Sequence, residues 1–208
     1  MNTNSYKYLE LFIIFILIPI GFMFDFHPII KLIIGVLGFA YILYVLLKIE
    51  KVKFSINNKK DWNSFWKSTL LKLLIIAILT IAFVWFSDRG NLFTVVLNKP
   101  KMWLLILLFY SLFSVYPQEI IYRTFFFKRY EKIFKKENVF ILVNAIVFSL
   151  AHLIFKNTFV LFFTFIGGLL FAFTYKKTKS TFLVSIEHAI YGCWLFTVGM
   201  GNMLGFPS

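Results

Sequence analysis

Long apolar blocks alternate with short polar interruptions along the whole of this chain. A membrane-spanning helix needs about 20 mostly apolar residues, within a range near 17–25. Seven stretches meet or approach that length: Tyr8–Phe26, Pro28–Leu47, Leu70–Phe86, Met102–Tyr116, Val139–Phe155, Phe159–Tyr175 and Thr181–Val198. The pattern predicts an all-α, polytopic membrane helix bundle of about seven transmembrane helices. The longest connector is Lys48–Lys67, and neither a long linker nor a repeat interrupts the chain. Residues 1–208 are therefore expected to form a single integral membrane domain. The first run, Leu9 to Phe24, lacks a small-x-small cleavage site, so it reads as a span and not as a cleavable signal.

Composition excludes the soluble alternatives. Of 208 residues, 60% are apolar, 21% aromatic and only 15% charged, against roughly 45–50% apolar and about 25% charged in an ordinary domain. A body of this size has too much surface for its volume to hide so many apolar side chains from water. The 22 Lys and Arg outnumber the 9 Asp and Glu, giving +13. In a soluble protein that excess would point to nucleic acid; in this one it fits basic loops facing the cytoplasm, and no nucleic-acid partner is expected. With the N-terminus inside, alternate connectors collect 17 of the 22 basic residues. The opposite side receives Lys31, Arg89, Lys99, Lys101 and Lys156. The lone cysteine, Cys193, excludes an internal disulfide.

Two stretches look interfacial. Asp61–Ser68 sets Trp62, Phe65 and Trp66 along one side of a helix, a membrane-surface pattern. Arg123–Lys136 mixes Phe125, Phe126, Phe127, Tyr130 and Phe134 with basic residues, as a helix lying at the cytoplasmic face would.

Ionisable groups inside apolar segments are costly unless paired or solvated, so each is a candidate for function. The set here is Glu119 and Arg123, His152, and Glu187 with His188. Glu119 and Arg123 stand four residues apart, about 40° around a helix, and can pair. Pro117 suits the first turn of a new helix. A carboxylate and a neutral imidazole can together deprotonate a water attacking a carbonyl, and a second imidazole can stabilise the oxyanion. The same groups could instead hold a metal. No HExxH and no G-x-S-x-G is present, although Ser149 and Ser185 each stand three residues before a histidine.

PQEIIYRTFF, FSLAH and EHAIYG, in that order, resemble the three motifs of the CAAX-protease and bacteriocin-processing family of intramembrane endopeptidases, over roughly residues 101–200. The resemblance implies catalytic roles for Glu119, His152 and His188, with Glu119 and His152 activating water and His188 supporting the oxyanion. Gln118, Arg123 and Glu187 would support them, Arg123 by holding the carboxylate of Glu119 or of Glu187. No cofactor is certain; one divalent metal such as zinc would take Glu119, His152 and His188 as its ligands. The implied substrate is a peptide or a lipidated protein, met among membrane lipids in the bacterial cytoplasmic membrane. Two positions depart from the motifs. Gln118 replaces a glutamate usually assigned as base, and Gly192 stands where asparagine is common. Asn144 and Asn157 are candidates to supply a missing polar group.

The leading expectation is an intramembrane peptidase. The alternative is a non-catalytic scaffold or bacteriocin self-immunity protein on the same fold. A transporter is disfavoured, since no pair of broken helices recurs in two halves. The topology is directly testable: a reporter fused after Lys60 should be cytoplasmic and one fused at Ser208 external. Reporters on one common side would refute seven crossings.

Overall fold

The computed structural model describes residue 1, residues 3–52 and residues 62–204. Seven helices are long and apolar enough to cross a membrane: α1 (Asn4–Gly21), α2 (Pro28–Ile49), α3 (Trp62–Ser87), α4 (Pro100–Ile133), α5 (Glu137–Phe155), α6 (Thr158–Thr178) and α7 (Thr181–Val198). Among the described residues there is no strand. The chain is an all-α, multi-pass integral membrane protein. Large apolar side chains such as Leu37, Ile78, Phe86 and Phe113 lie exposed, as lipid-facing positions do.

Two sequence expectations change. Trp62–Ser68 is not a separate surface helix; it forms the opening turns of α3, with Phe65 buried. Asp61, and the connector residues 53–60, lie outside the described residues. Nor is Arg123–Lys136 a solvated basic helix. Helical structure continues from Pro100 through Ile133, and Arg123, Phe125, Phe126, Arg129 and Tyr130 are all fully buried. Pro117 therefore lies inside α4 and does not open a new helix. A proline there removes one ladder hydrogen bond and crowds the carbonyl four residues back. The backbone accommodates it by widening into π-turns on both sides, Tyr110–Val115 and Ile120–Phe125. Such turns gather at functional positions.

The chain packs as two compact units, one of Met1–Ser55 with Glu119–Lys177, the other of Ile56–Gln118 with Thr178–Ser208. In the first, Phe15 of α1 is fully buried against Tyr122, Phe126 and Tyr130, at centroid distances of 5.4, 5.3 and 6.0 Å. Phe127 extends the aromatic core to Phe140 (4.8 Å) and Tyr175 (4.9 Å). At Gly168 an added Cβ would stand 2.9 Å from Ala145 Cα, so small residues let α5 and α6 approach closely.

Arg129 completes this unit. Its guanidinium donates to Glu10 Oε2 at 2.8 Å, Glu50 Oε1 at 2.9 Å and the Met1 carbonyl at 2.6 Å. Tyr130 Oη donates to Glu10 Oε2 at 3.0 Å, and Tyr41 Oη donates to Glu10 Oε1. Sequence reading left out Glu10, which stands near the start of its run, and Arg129, which was placed in the interfacial stretch Arg123–Lys136.

In the second unit, indole N–H groups stitch the helices. Trp103 Nε1 donates to Thr197 Oγ1 and Trp194 Nε1 to Thr80 Oγ1, each at 2.9 Å. Gly199, at φ +106°, closes α7 where any Cβ would overlap the Asn91 carbonyl oxygen.

Among the described residues, four of the basic residues assigned to cytoplasmic connectors, Lys72, Arg123, Arg129 and Lys176, are bound into ion pairs within helices. Setting those four aside leaves thirteen against five.

Arg129→Leu strands the buried Glu10 carboxylate. Breaking one partner of a buried pair costs about 3–5 kcal/mol, so the detergent-solubilised protein should melt at clearly lower temperature. Adding Glu10→Gln to Arg129→Leu should recover part of the loss. An unchanged melting point in Arg129→Leu would show that the cluster does not hold the unit together.

Candidate active site

The first unit contains Glu119, Arg123 and His152. Glu119 and Arg123 share one face of α4, with Arg123 Nε 3.3 Å from Glu119 Oε2 and both side chains fully buried. A second helix fixes the guanidinium: Asn144 Oδ1 on α5 accepts from Arg123 Nη1 at 2.6 Å, and Asn144 Nδ2 donates to the Tyr122 carbonyl at 2.6 Å. One turn further along α5, the Phe148 ring lies beneath the guanidinium, 4.8 Å from its carbon. His152 also packs edge-on to that ring, at 5.0 Å between centroids. Arg123 and His152 thus both contact Phe148, and Arg123 also pairs with the Glu119 carboxylate.

His152 is half-buried, on a tight 3₁₀ turn that ends α5. Its Nδ1 lies 2.9 Å from the Phe148 carbonyl oxygen. A carbonyl only accepts, so Nδ1 carries the proton and donates it. In a neutral ring that tautomer makes Nε2 the basic nitrogen.

The second unit contains Gln118, Glu187 and His188. Glu187 is fully buried, and its Oε1 accepts from Lys72 Nζ at 2.7 Å and from Tyr191 Oη at 2.9 Å. Tyr191 Oη also approaches the Thr69 carbonyl oxygen at 3.2 Å. Of the two carboxylates considered for Arg123, the structure gives it Glu119 and gives Glu187 to Lys72. His188, buried, has its Nε2 at 3.2 Å from Tyr110 Oη. The Gln118 amide nitrogen donates to Ser114 Oγ at 2.8 Å, one turn earlier on α4.

Residues 100–194 match the family model described as Type II CAAX prenyl endopeptidase Rce1-like. That segment is similar to the Rce1-like family. It takes in PQEIIYR, FSLAH and EHAIYG, and with them Glu119, Arg123, His152 and His188. No curated protein and no solved structure matches the chain.

Within the Rce1-like segment several polar residues already have local tasks. Ser149 Oγ donates to the Leu161 carbonyl and Ser185 Oγ to the Thr181 carbonyl, each at 2.8 Å. Asn157 Oδ1 accepts from Phe159 N at 2.9 Å, capping the start of α6. Asn144 acts through Arg123. Among the described residues, no three His, Cys, Asp or Glu side chains are grouped to hold a metal ion.

Sequence reasoning missed Lys72, Tyr191 and Tyr110. Lys72 was assigned to a loop because it stands near the polar connector, and neither tyrosine carries a signal at single-residue level. Asn144→Ala tests the support given to Arg123. A hydrogen bond to a charged group contributes about 1.5–3 kcal/mol, so unfolding in denaturing detergent should shift by that order. Asn144→Asp, which keeps an acceptor for the guanidinium, should be milder; equal losses would separate Asn144 from the ion pair.

Proposed function

We propose that this protein is an intramembrane endopeptidase of the CAAX-protease type, cleaving a peptide or a prenylated protein. The observation that carries the reading is the Rce1-like match, which encloses Glu119, His152 and His188 together on three apolar helices. The proposed location is the bacterial cytoplasmic membrane, with the N-terminus inside.

The chemistry assigned to these groups is hydrolysis. Water adds its oxygen to the scissile carbonyl carbon while Glu119 takes one of its protons, assisted by the basic Nε2 of His152. His188 donates to the oxygen on which negative charge develops. The C–N bond then breaks, and the proton held by Glu119 passes to the departing amine. A carboxylate offers about four acceptor directions on two oxygens, so Arg123 orients Glu119 without exhausting it.

A second reading, a non-catalytic scaffold or self-immunity protein, is favoured by one observation: Gln118, an amide that cannot take a proton, stands where the motif expects a carboxylate and is tied to Ser114. The two readings part on Glu119→Gln. General-base contributions are about 10²–10⁴-fold, and a loss of that size is expected in cleavage of a fluorogenic farnesylated CAAX peptide in proteoliposomes. His152→Ala, which breaks no ion pair, should lose activity as well. Gln118→Glu should change the rate only modestly. Full activity in both Glu119→Gln and His152→Ala, at normal membrane abundance, would overturn the peptidase assignment.

A further inference from the structure

Position 192 lies one helical turn beyond His188 on α7, so a side chain there would stand beside the imidazole. Gly192 has none. The vacated place is filled from another helix of the same unit: a Cβ built on Gly192 would overlap Oη, Cε1 and Cζ of Tyr110. The phenol is therefore seated in the notch that the glycine leaves. Its Oη lies 3.2 Å from His188 Nε2, its ring packs edge-on to His188 (6.1 Å) and to Phe196 (4.9 Å). Tyr110 begins the π-turn Tyr110–Val115, the distortion that precedes Pro117. The backbone irregularity, the missing side chain and the hydroxyl–imidazole contact converge on one pair.

We propose that Tyr110 is the positioning residue for His188, and that Gly192 is required because it makes room for the phenol. The proposal rests on the peptidase reading above, in which His188 serves the oxyanion. A tyrosine hydroxyl both donates and accepts. It can hold the imidazole at a fixed angle and tautomer before substrate arrives, and so removes reorganisation from the reaction itself. An asparagine on α7 could provide a comparable polar group from position 192. In this chain the phenol has taken that place from α4, and the two solutions exclude each other sterically.

That exclusion makes the proposal testable by a swap. The full-length protein in proteoliposomes is assayed with the farnesylated CAAX peptide, and its ring-labelled histidines are followed by nitrogen NMR at fixed pH. His188→Gln assigns the His188 signals among three histidines. Tyr110→Phe keeps the ring and removes only the hydroxyl. It should retain the wild-type melting point, shift the His188 ring nitrogens, and lower kcat about 10- to 100-fold with KM little changed, the scale of a misplaced catalytic group. Gly192→Asn alone should be inactive or unfolded through collision, and Tyr110→Ala alone should be impaired. Tyr110→Ala with Gly192→Asn should be more active than either single variant, a non-additivity expected only where two side chains share one space.

Unchanged His188 signals in Tyr110→Phe would overturn the proposal, whatever the activity. So would wild-type kcat in Tyr110→Phe while His188→Ala is inactive, and so would a double variant no better than the singles. Wild-type cleavage by His188→Ala would instead refute the role of His188 in the peptidase reading. The nitrogen signals would then still report on the Tyr110–His188 contact by itself.

Discussion

A charge inside an apolar protein must have a partner, and most of the specific structure of this chain follows from that requirement. Moving an ion out of water costs several kcal/mol, and only close pairing with good hydrogen bonds offsets it. Arg123 and Arg129 lie six residues apart on α4 and answer the requirement differently. Arg123 is met by Glu119 on its own helix and by Asn144 on α5. Arg129 reaches Glu10 on α1 and Glu50 just beyond α2. In the other unit, Lys72 of α3 and Glu187 of α7 meet the same demand. Apolar surface drives helices into the membrane but does not choose their neighbours, because lipid is as apolar as they are. The buried charges select which helices meet.

The candidate chemistry grows out of the same pairs. Fixing Arg123 fixes Glu119, and the Phe148 ring, which contacts both Arg123 and His152, relates the position of the imidazole to that of the guanidinium. Each histidine is then set by a neighbour of a different kind. The carbonyl of Phe148 determines which nitrogen of His152 bears the proton, and the Tyr110 hydroxyl faces Nε2 of His188. Small residues decide how closely these elements approach: Gly168 against Ala145 in one unit, Gly192 against Tyr110 in the other. A methyl group at either position would move the partners that hold the polar groups.

The sequence by itself determined the all-α class, the seven stretches long and apolar enough to cross a membrane, and the presence of Glu119, Arg123 and Glu187 inside apolar helices. Those properties depend on length, hydropathy and local spacing: a run long enough to span the hydrocarbon core, or a glutamate four residues from an arginine, needs no knowledge of distant residues. The three motifs were legible for the same reason, since each is contained within about three helical turns. What the sequence could not contain was the choice of partner. That Glu187 belongs to Lys72 and not to Arg123, that Arg129 is buried against Glu10 across 119 residues, and that Tyr110 occupies the space at Gly192 across 82 are matters of which helix faces meet. Pro117 shows the limit most plainly. Local rules make it a helix start, yet the chain runs helically past it, because π-turns and tertiary packing meet the cost of the lost hydrogen bond. Tertiary structure decided these points, since pairing energy depends on distance in space and not on separation along the chain.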